Sequence, residues 1–70
     1  MPAPKKLGDA LRELRERKGF TQAALAERAQ VALSYVTVIE SGHDVRTPRQ
    51  IVQRLARALG VPAKQLDPDA

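Results

Sequence analysis

A chain of 70 residues with 12 basic and 8 acidic side chains has room for one small domain, close to the lower size limit for unassisted folding. It contains no cysteine, which excludes disulfides and thiolate metal sites and suits a reducing compartment. No stretch is apolar enough for a transmembrane helix or a signal peptide, so we expect a cytoplasmic protein without a membrane partner. The net charge of +4 favours a polyanionic partner.

The first predicted helix follows a short tail. Residues 1–6, MPAPKK, lack apolar periodicity and are expected to be flexible, with a basic arm that touches phosphate as the alternative. From Leu7 the apolar residues recur at i, i+3, i+4 and i+7, which predicts a helix to about Lys18, ended by Gly19. We interpret the opposite face as solvated and ion-paired; it carries Arg12, Glu13, Glu16 and Arg17.

Two short helices joined by a tight turn are predicted next, over residues 21–42. Thr21 is a good N-cap for a helix whose inward side chains are Leu25, Ala26 and Ala29. The turn from Gln30 to Ala32 is so short that it favours a helix-turn-helix. In the helix that follows, the period of 3.6 places Ala32, Val36 and Ile39 inward and Ser34, Thr37 and Val38 outward. Small hydroxyl and aliphatic groups on the outer face suit close contact with a partner.

The last part of the chain predicts two more helices. A fourth helix is predicted from Thr47 as its N-cap and Pro48 at its first position, and it should end at Gly60. Gln50, three residues after Thr47, would complete a capping box. A short fifth helix should end near Leu66. The prediction is an all-α, compact five-helix bundle with a helix-turn-helix over residues 7–66, followed by a loose C-terminus at 67–70. Phe20, the only phenylalanine, is expected to plug the core between two helices.

These segments carry a family resemblance that covers nearly the whole chain. The residues LGDALRELRERKGFTQAALAERAQVALSYVTVIESG, followed by a proline and IVQRLARALGV, resemble the helix-turn-helix domains of phage repressors, Cro proteins and their bacterial relatives of the xenobiotic-response-element type. The resemblance implies a lambda-repressor-like fold. It also implies that the helix from about Leu33 to Ser41 is the recognition helix for double-stranded DNA.

The resemblance implies a role for particular residues. Leu33, Ser34 and Val38 would face the bases. The DNA backbone would be contacted by Gln22, Tyr35, Thr37, His43, Arg46 and Arg49, with Gln22 bracing the base contacts as an alternative. Several of these also have plainer interpretations as ordinary surface residues. The family commonly pairs the equivalents of Arg15 and Glu40, and we expect the same structural ion pair here.

The sequence departs from the family pattern at several positions. Gln30 replaces the usual glycine and is expected to be left-handed, at a cost of about 1–2 kcal/mol. Ala32 replaces the usual serine or threonine N-cap of the recognition helix. Leu33 and Val38 replace polar base readers; they can touch thymine methyl groups but cannot make bidentate hydrogen bonds, so base specificity should be modest or favour A·T steps. The loop from Gly42 to Pro48 is longer than usual, which leaves the roles of His43 and Arg46 open.

The leading hypothesis is a sequence-specific transcriptional regulator, a repressor or autoregulator, that reads an inverted-repeat operator as a homodimer. Val61 and Leu66 are the expected dimer contacts, and regulation by concentration is favoured over regulation by a ligand. The alternative is a protein-interaction module that binds a toxin or RNA polymerase through Leu33, Val38 and Tyr35. An enzyme is the least favoured hypothesis, since one histidine and no cysteine offer little for catalysis, and neither a cofactor nor a metal is expected.

Overall fold

The architecture is all-helical over the residues that the computed structural model describes, 6–42 and 47–67. Four α-helices follow one another in these ranges: α1 (Leu7–Arg17), α2 (Gln22–Ala29), α3 (Leu33–Glu40) and α4 (Arg49–Leu59). A single 3₁₀ turn, Ala63–Gln65, follows α4. The predicted all-α class is confirmed, whereas the predicted count of five helices is wrong.

The expected fifth helix is too short to be an α-helix. Only three residues after Pro62 adopt helical geometry, and a nucleus of that length fixes several dihedral angles for very few hydrogen bonds. The turn is held by the side chain that follows it, because Leu66 is 1% exposed and belongs to the core. Leu66 therefore cannot serve as the dimer contact that the sequence suggested, since its side chain is already used inside the subunit.

The core lies where α1, α2, α3 and α4 meet. It consists of small and branched aliphatic side chains. Its buried members are Ala10, Leu11, Leu25, Ala26, Ala29, Val36, Ile39, Val52, Leu55, Ala56, Leu59 and Leu66. Phe20 packs against this cluster while half-buried, and the Arg28 guanidinium lies 5.1 Å from the centre of its ring.

Two helix starts were predicted from capping residues, with different outcomes. The Thr21 hydroxyl oxygen accepts a hydrogen bond from the Ala24 amide at 3.0 Å, as predicted for the start of α2. The capping box predicted at Thr47 is wrong, because α4 begins one residue later with Pro48 as its N-cap. Pro48 has an extended ψ of 145°, so it lies before the helix and not in its first turn. The Thr47 hydroxyl is buried without a hydrogen-bond partner among the described residues.

Three helices end in the same left-handed turn. After α1, the Gly19 and Phe20 amides donate to the Glu16 and Arg15 carbonyls, which is the Schellman pattern. Gln30 and Gly60 stand at the equivalent positions after α2 and α4, with φ of 59° and 72°. Gln30 is the one non-glycine residue with positive φ in the described ranges, so the predicted left-handed conformation is confirmed.

Gly8 sets the distance between α1 and α3. A Cβ built on Gly8 would overlap the Ile39 carbonyl oxygen and lie 3.1 Å from the Ile39 carbonyl carbon. These are main-chain atoms of α3, so they cannot move without displacing that helix. Glycine at this position therefore lets the start of α1 pack directly against the end of α3.

Several expectations concern residues outside this description. Residues 1–5, 43–46 and 68–70 are not described, so the flexible tail, the loose C-terminus and the contacts of His43 and Arg46 stay predictions. Within the described ranges, every helix is too short or too polar to cross a membrane.

Replacing Gln30 by glycine should stabilise the domain. Removing the left-handed side chain should stabilise the folded domain by about 1–2 kcal/mol. The greater freedom of glycine in the unfolded chain opposes this stabilisation by about 0.4–1 kcal/mol. The net expectation is a rise of about 0.5–1 kcal/mol in the free energy of unfolding, measured by urea denaturation. Gly60→Ala is the matched reverse change, because φ is also positive there and nothing lies within 4 Å of an added Cβ; it should lower stability. A lower free energy of unfolding for Gln30→Gly would contradict the prediction that the left-handed Gln30 is strained.

Gly8→Ala should destabilise the domain by about 1–3 kcal/mol, because the added methyl overpacks α1 against α3. In a helix without this contact, the same change would stabilise by about 0.5–1 kcal/mol, so the sign of the effect is diagnostic. Arg17→Ala, at an exposed position of the same helix, is the control and should change stability by less than about 0.5 kcal/mol. Denaturant titration of the three proteins measures both effects.

Candidate nucleic-acid interface

One face of α3 is open to solvent. Ser34, Thr37 and Val38 are exposed, as the helical periodicity predicted, and Leu33 joins them at the start of the helix. Leu33 is 47% exposed and Val38 is 44% exposed, which makes them the large apolar side chains least covered by the described part of the protein. The opposite face, with Val36, Ile39 and Glu40, is buried. The outer face is therefore accessible over the length of the helix.

Two of the hydroxyl groups on this face are bonded within the helix. The Thr37 hydroxyl lies 3.0 Å from the Leu33 carbonyl oxygen and 3.3 Å from the Gln22 amide oxygen, so its single hydrogen is shared between two acceptors. The Ser41 hydroxyl donates to the Val38 carbonyl at 2.6 Å. These bonds reduce the capacity of both groups to donate to a ligand.

The buried face of α3 is attached to α1 through one carboxylate. The Arg15 Nε donates to Glu40 Oε2 at 2.8 Å and its Nη2 donates to Oε1 at 2.9 Å, a bidentate pair. The Glu40 side chain is 2% exposed and that of Arg15 is 13% exposed, so the pair is largely shielded from water. The hydrogen bonds to Glu40 raise the pKa of Arg15 while burial opposes the rise, so the guanidinium stays charged. Its Nη1 also donates to the Phe20 carbonyl at 2.7 Å.

Gln22 extends this network to the start of α2. Its amide nitrogen donates to Glu40 Oε1 at 3.2 Å, and its amide oxygen faces the Thr37 hydroxyl. One residue of α2 therefore touches both the buried carboxylate and the outer face of α3. The amide nitrogen carries two hydrogens, so one remains for a further acceptor such as a phosphate oxygen.

Arg12 adds a second cation from α1. Its Nη2 donates to the main-chain carbonyl of Glu40, and its Nε lies 3.9 Å from the Glu40 carboxylate. The carbonyls of the last turn of a helix lack partners within the helix, so this contact satisfies one of them and places positive charge at the negative end of α3. Arg12 is exposed, as the prediction of a solvated face expected, since its side chain is 48% exposed, but it also contacts α3, which the sequence did not indicate.

The remaining predicted contact residues are placed as follows. Tyr35 is half-buried, with its side chain packed against the core. Arg49 is exposed at the first residue of α4 and makes no hydrogen bond or ion pair within residues 6–42 and 47–67. The structure thus brings Gln22, Thr37, Arg15 and Glu40 into one network, while Arg49 stands apart from it.

Two residues that position this face were missed in the sequence. Gly8 was hidden because a glycine near a helix start carries no periodic signal. Arg12 could have been found from its spacing, since it lies three residues before Arg15 and so shares a side of α1 with it. The surrounding acidic side chains favoured pairing within α1 instead.

α2 and α3, joined by three residues and with one face of α3 open, define the class of this protein as a helix-turn-helix domain. A sequence model of the family described as "Helix-turn-helix domain" matches residues 6–68. The chain belongs to this helix-turn-helix family, and the predicted kinship with DNA-binding regulators of the repressor and Cro type is confirmed.

Relatives of known description agree with this assignment. The chain is 40% identical over 58 residues to the HTH-type transcriptional regulator RamB of Mycobacterium tuberculosis, in two strains. The match covers 81% of this chain and 12% of RamB, so this chain corresponds to a small part of that relative.

Two solved structures have the same fold. The restriction-modification controller protein C.AhdI from Aeromonas hydrophila is 36% identical, with a TM-score of 0.81 over 87% of this chain and 91% of that one. SinR, the master regulator for biofilm formation, was crystallised in complex with DNA; it is 30% identical, with a TM-score of 0.82 over 86% of this chain and 95% of that one.

The Arg15–Glu40 pair should show strong energetic coupling. Removing one partner of a buried pair leaves the other charge without compensation, so Arg15→Met should destabilise the domain by about 3–5 kcal/mol. Glu40→Gln should destabilise it by less, because the glutamine retains one acceptor for Arg15. In a double-mutant cycle measured by denaturant titration, we expect a coupling free energy of about 1.5–3 kcal/mol.

Arg12→Met provides the matched control for this cycle. Its guanidinium is half-exposed and bonds mainly to the main chain of Glu40, which Glu40→Gln preserves. The Arg12–Glu40 coupling should therefore stay below about 1 kcal/mol. Equal coupling for the two arginines would contradict the special position of Arg15.

Proposed function

We propose that this chain binds double-stranded DNA sequence-specifically and regulates transcription, acting as a homodimer on an inverted-repeat operator. The observation that carries the proposal is the exposed outer face of α3 on a helix whose inner face is fixed to α1 and α2 through Glu40. The major groove admits an α-helix, and a helix held in a fixed orientation can present the same side chains to every operator copy. The DNA complex of the similar protein SinR supports this choice of ligand.

Leu33, Ser34 and Val38 are proposed to face the base edges. All three are exposed; Leu33 and Ser34 are the first two residues of α3, where recognition helices of this class contact bases, and Val38 lies on the same exposed side further along the helix. Gln22 lies in the first turn of α2, where unpaired amides and the helix dipole favour an anion. We propose that its second amide hydrogen and the Tyr35 and Thr37 hydroxyls contact phosphates, with charge supplied by Arg49, Arg46 and His43.

The dimer is proposed because α3 alone offers few polar groups to bases. Two recognition helices about 34 Å apart, one turn of DNA, would combine their contacts on a two-fold site. A regulatory role, as repressor or autoregulator, is supported by the descriptions of RamB, C.AhdI and SinR as a regulator, a controller and a master regulator. None of these descriptions names a catalytic activity, which favours a protein that is not an enzyme.

A second function is favoured by one observation. Leu33 and Val38 are apolar and nearly half-exposed, and such groups also form the centre of protein interfaces. A protein partner such as a toxin or RNA polymerase is therefore the alternative occupant of this face. It predicts binding with little dependence on salt, whereas each phosphate contact makes DNA binding weaker as salt rises.

In vitro selection from a randomised duplex library tests the proposal. At near-physiological salt, the unaltered protein should enrich an inverted repeat, and a Ser34→Ala/Val38→Ala variant should lose affinity for it by about tenfold or more, since each lost base contact costs about 1–3 kcal/mol. Gln53→Ala, at an exposed position of α4 that also exchanges a neutral side chain, is the control and should bind like the unaltered protein.

The salt dependence of the selected complex separates the two functions. A linear fall of the logarithm of affinity with the logarithm of salt concentration is expected if several phosphates are contacted. Recovery of no motif, together with binding that vanishes at moderate salt, would leave only electrostatic attraction and would reject sequence-specific regulation. In that case a protein partner becomes the better hypothesis for Leu33 and Val38.

A further inference from the structure

The exposed arc of α3 is bounded by aliphatic side chains. At about 100° per residue, Leu33 and Val38 lie roughly 140° apart around the helix, and Thr37, Ser41 and Ser34 fall between them. Both aliphatic side chains are nearly half-exposed. An apolar group therefore stands at each edge of the surface that would enter a groove.

Two of the three hydroxyls on this arc already donate hydrogen bonds within the protein, and the third, on Ser34, cannot by itself make a bidentate contact with a base. The Thr37 and Ser41 hydroxyls donate to main-chain carbonyls of α3, with Thr37 also facing the Gln22 amide. Ser34 makes no hydrogen bond within the described ranges. The residues of α3 are LSYVTVIE, so the helix has no amide or guanidinium group for the bidentate contacts that usually identify adenine or guanine.

We infer that α3 recognises the C5 methyl groups of pyrimidines in the major groove, so that thymine and 5-methylcytosine are favoured over uracil and unmethylated cytosine. The inference rests on the proposed DNA binding and names the chemical group that is read. A C5 methyl projects into the major groove, where contact with an aliphatic side chain removes both from water. 5-Methylcytosine carries its methyl group at the same ring position as thymine, so methylation of a cytosine within the site would change the affinity for this protein.

The size of the effect follows from the area of one methyl group. Loss of one buried methyl contact should weaken binding about fourfold, and the effect should multiply across the two halves of a symmetric site. A duplex with deoxyuridine in place of thymidine keeps the hydrogen-bonding groups of the base and removes only the methyl. It is therefore a selective probe of this contact.

Parallel selections from a thymidine library and a fully deoxyuridine-substituted library test the inference. We expect a motif with thymines at fixed positions from the thymidine library. Individual substitutions of deoxyuridine at those positions should weaken binding about fourfold each, measured by fluorescence anisotropy. Replacing a contacted thymine–adenine pair by cytosine–guanine should weaken binding, and 5-methylcytosine at that position should recover about fourfold of the loss.

The outcomes distinguish the inference from the function on which it rests. Equal affinity for thymidine and deoxyuridine versions of a selected motif would overturn methyl reading and leave sequence-specific DNA binding intact. The absence of any motif from both libraries would reject the proposed function, and the inference would fail with it. A dependence on methyl groups at specific positions supports both.

Variants assign the contact to residues. Val38→Ala and Leu33→Ala should each abolish the thymidine preference at one position and keep it at the others. Ser34→Ala lies on the same arc and should change overall affinity without changing the ratio between thymidine and deoxyuridine duplexes. All three side chains are exposed, so the variants should fold, which circular dichroism checks. A thymidine preference that stays unchanged at every position in both Leu33→Ala and Val38→Ala would also overturn the inference.

Discussion

The carboxylate of Glu40 is the group on which the arrangement of this domain depends. It is buried near the end of α3, and a carboxylate in such a place is tolerated only when cations and hydrogen-bond donors surround it. Arg15 donates two hydrogen bonds to this carboxylate and Gln22 donates a third. Arg12 donates a hydrogen bond to the main-chain carbonyl of Glu40. Three helices therefore meet at one side chain, which makes the orientation of α3 a property of electrostatics as well as of apolar packing.

Close packing of α1 against α3 supports the same orientation of α3. Gly8 brings the main chain of α1 against the Ile39 carbonyl, and the arginines of α1 can reach Glu40 because the two helices are that close. The small core, with 12 buried aliphatic side chains among residues 6–42 and 47–67, would otherwise restrain an eight-residue helix only weakly. The hydrogen bonds to Glu40 therefore fix the orientation of α3, which apolar contacts alone would define less strictly.

Much of this fold follows from the sequence by local rules. The helix-turn-helix, the N-cap at Thr21 and the buried Val36 and Ile39 of α3 were predicted from periodicity or neighbouring residues, and the structure has them. The left-handed Gln30 was predicted from the family resemblance and is also present, whereas Ala32, predicted to face inward, is exposed. The errors arose where distant parts of the chain decide. α4 begins after Pro48 and not at it, and the last turn is a 3₁₀ turn of three residues instead of a fifth α-helix. Gly8 and Arg12 act across 28 or more residues of chain, a separation that no periodic pattern reports.

The division of α3 into two sides has an evolutionary consequence. Val36, Ile39 and Glu40, which attach this helix to the rest of the domain, are buried, whereas Leu33, Ser34 and Val38 contribute little to the core. Substitutions on the outer side can thus accumulate at small cost to stability. A lineage that carries this scaffold can therefore change the chemistry of the exposed surface of α3 through single substitutions at these positions, with the same folded domain at every step.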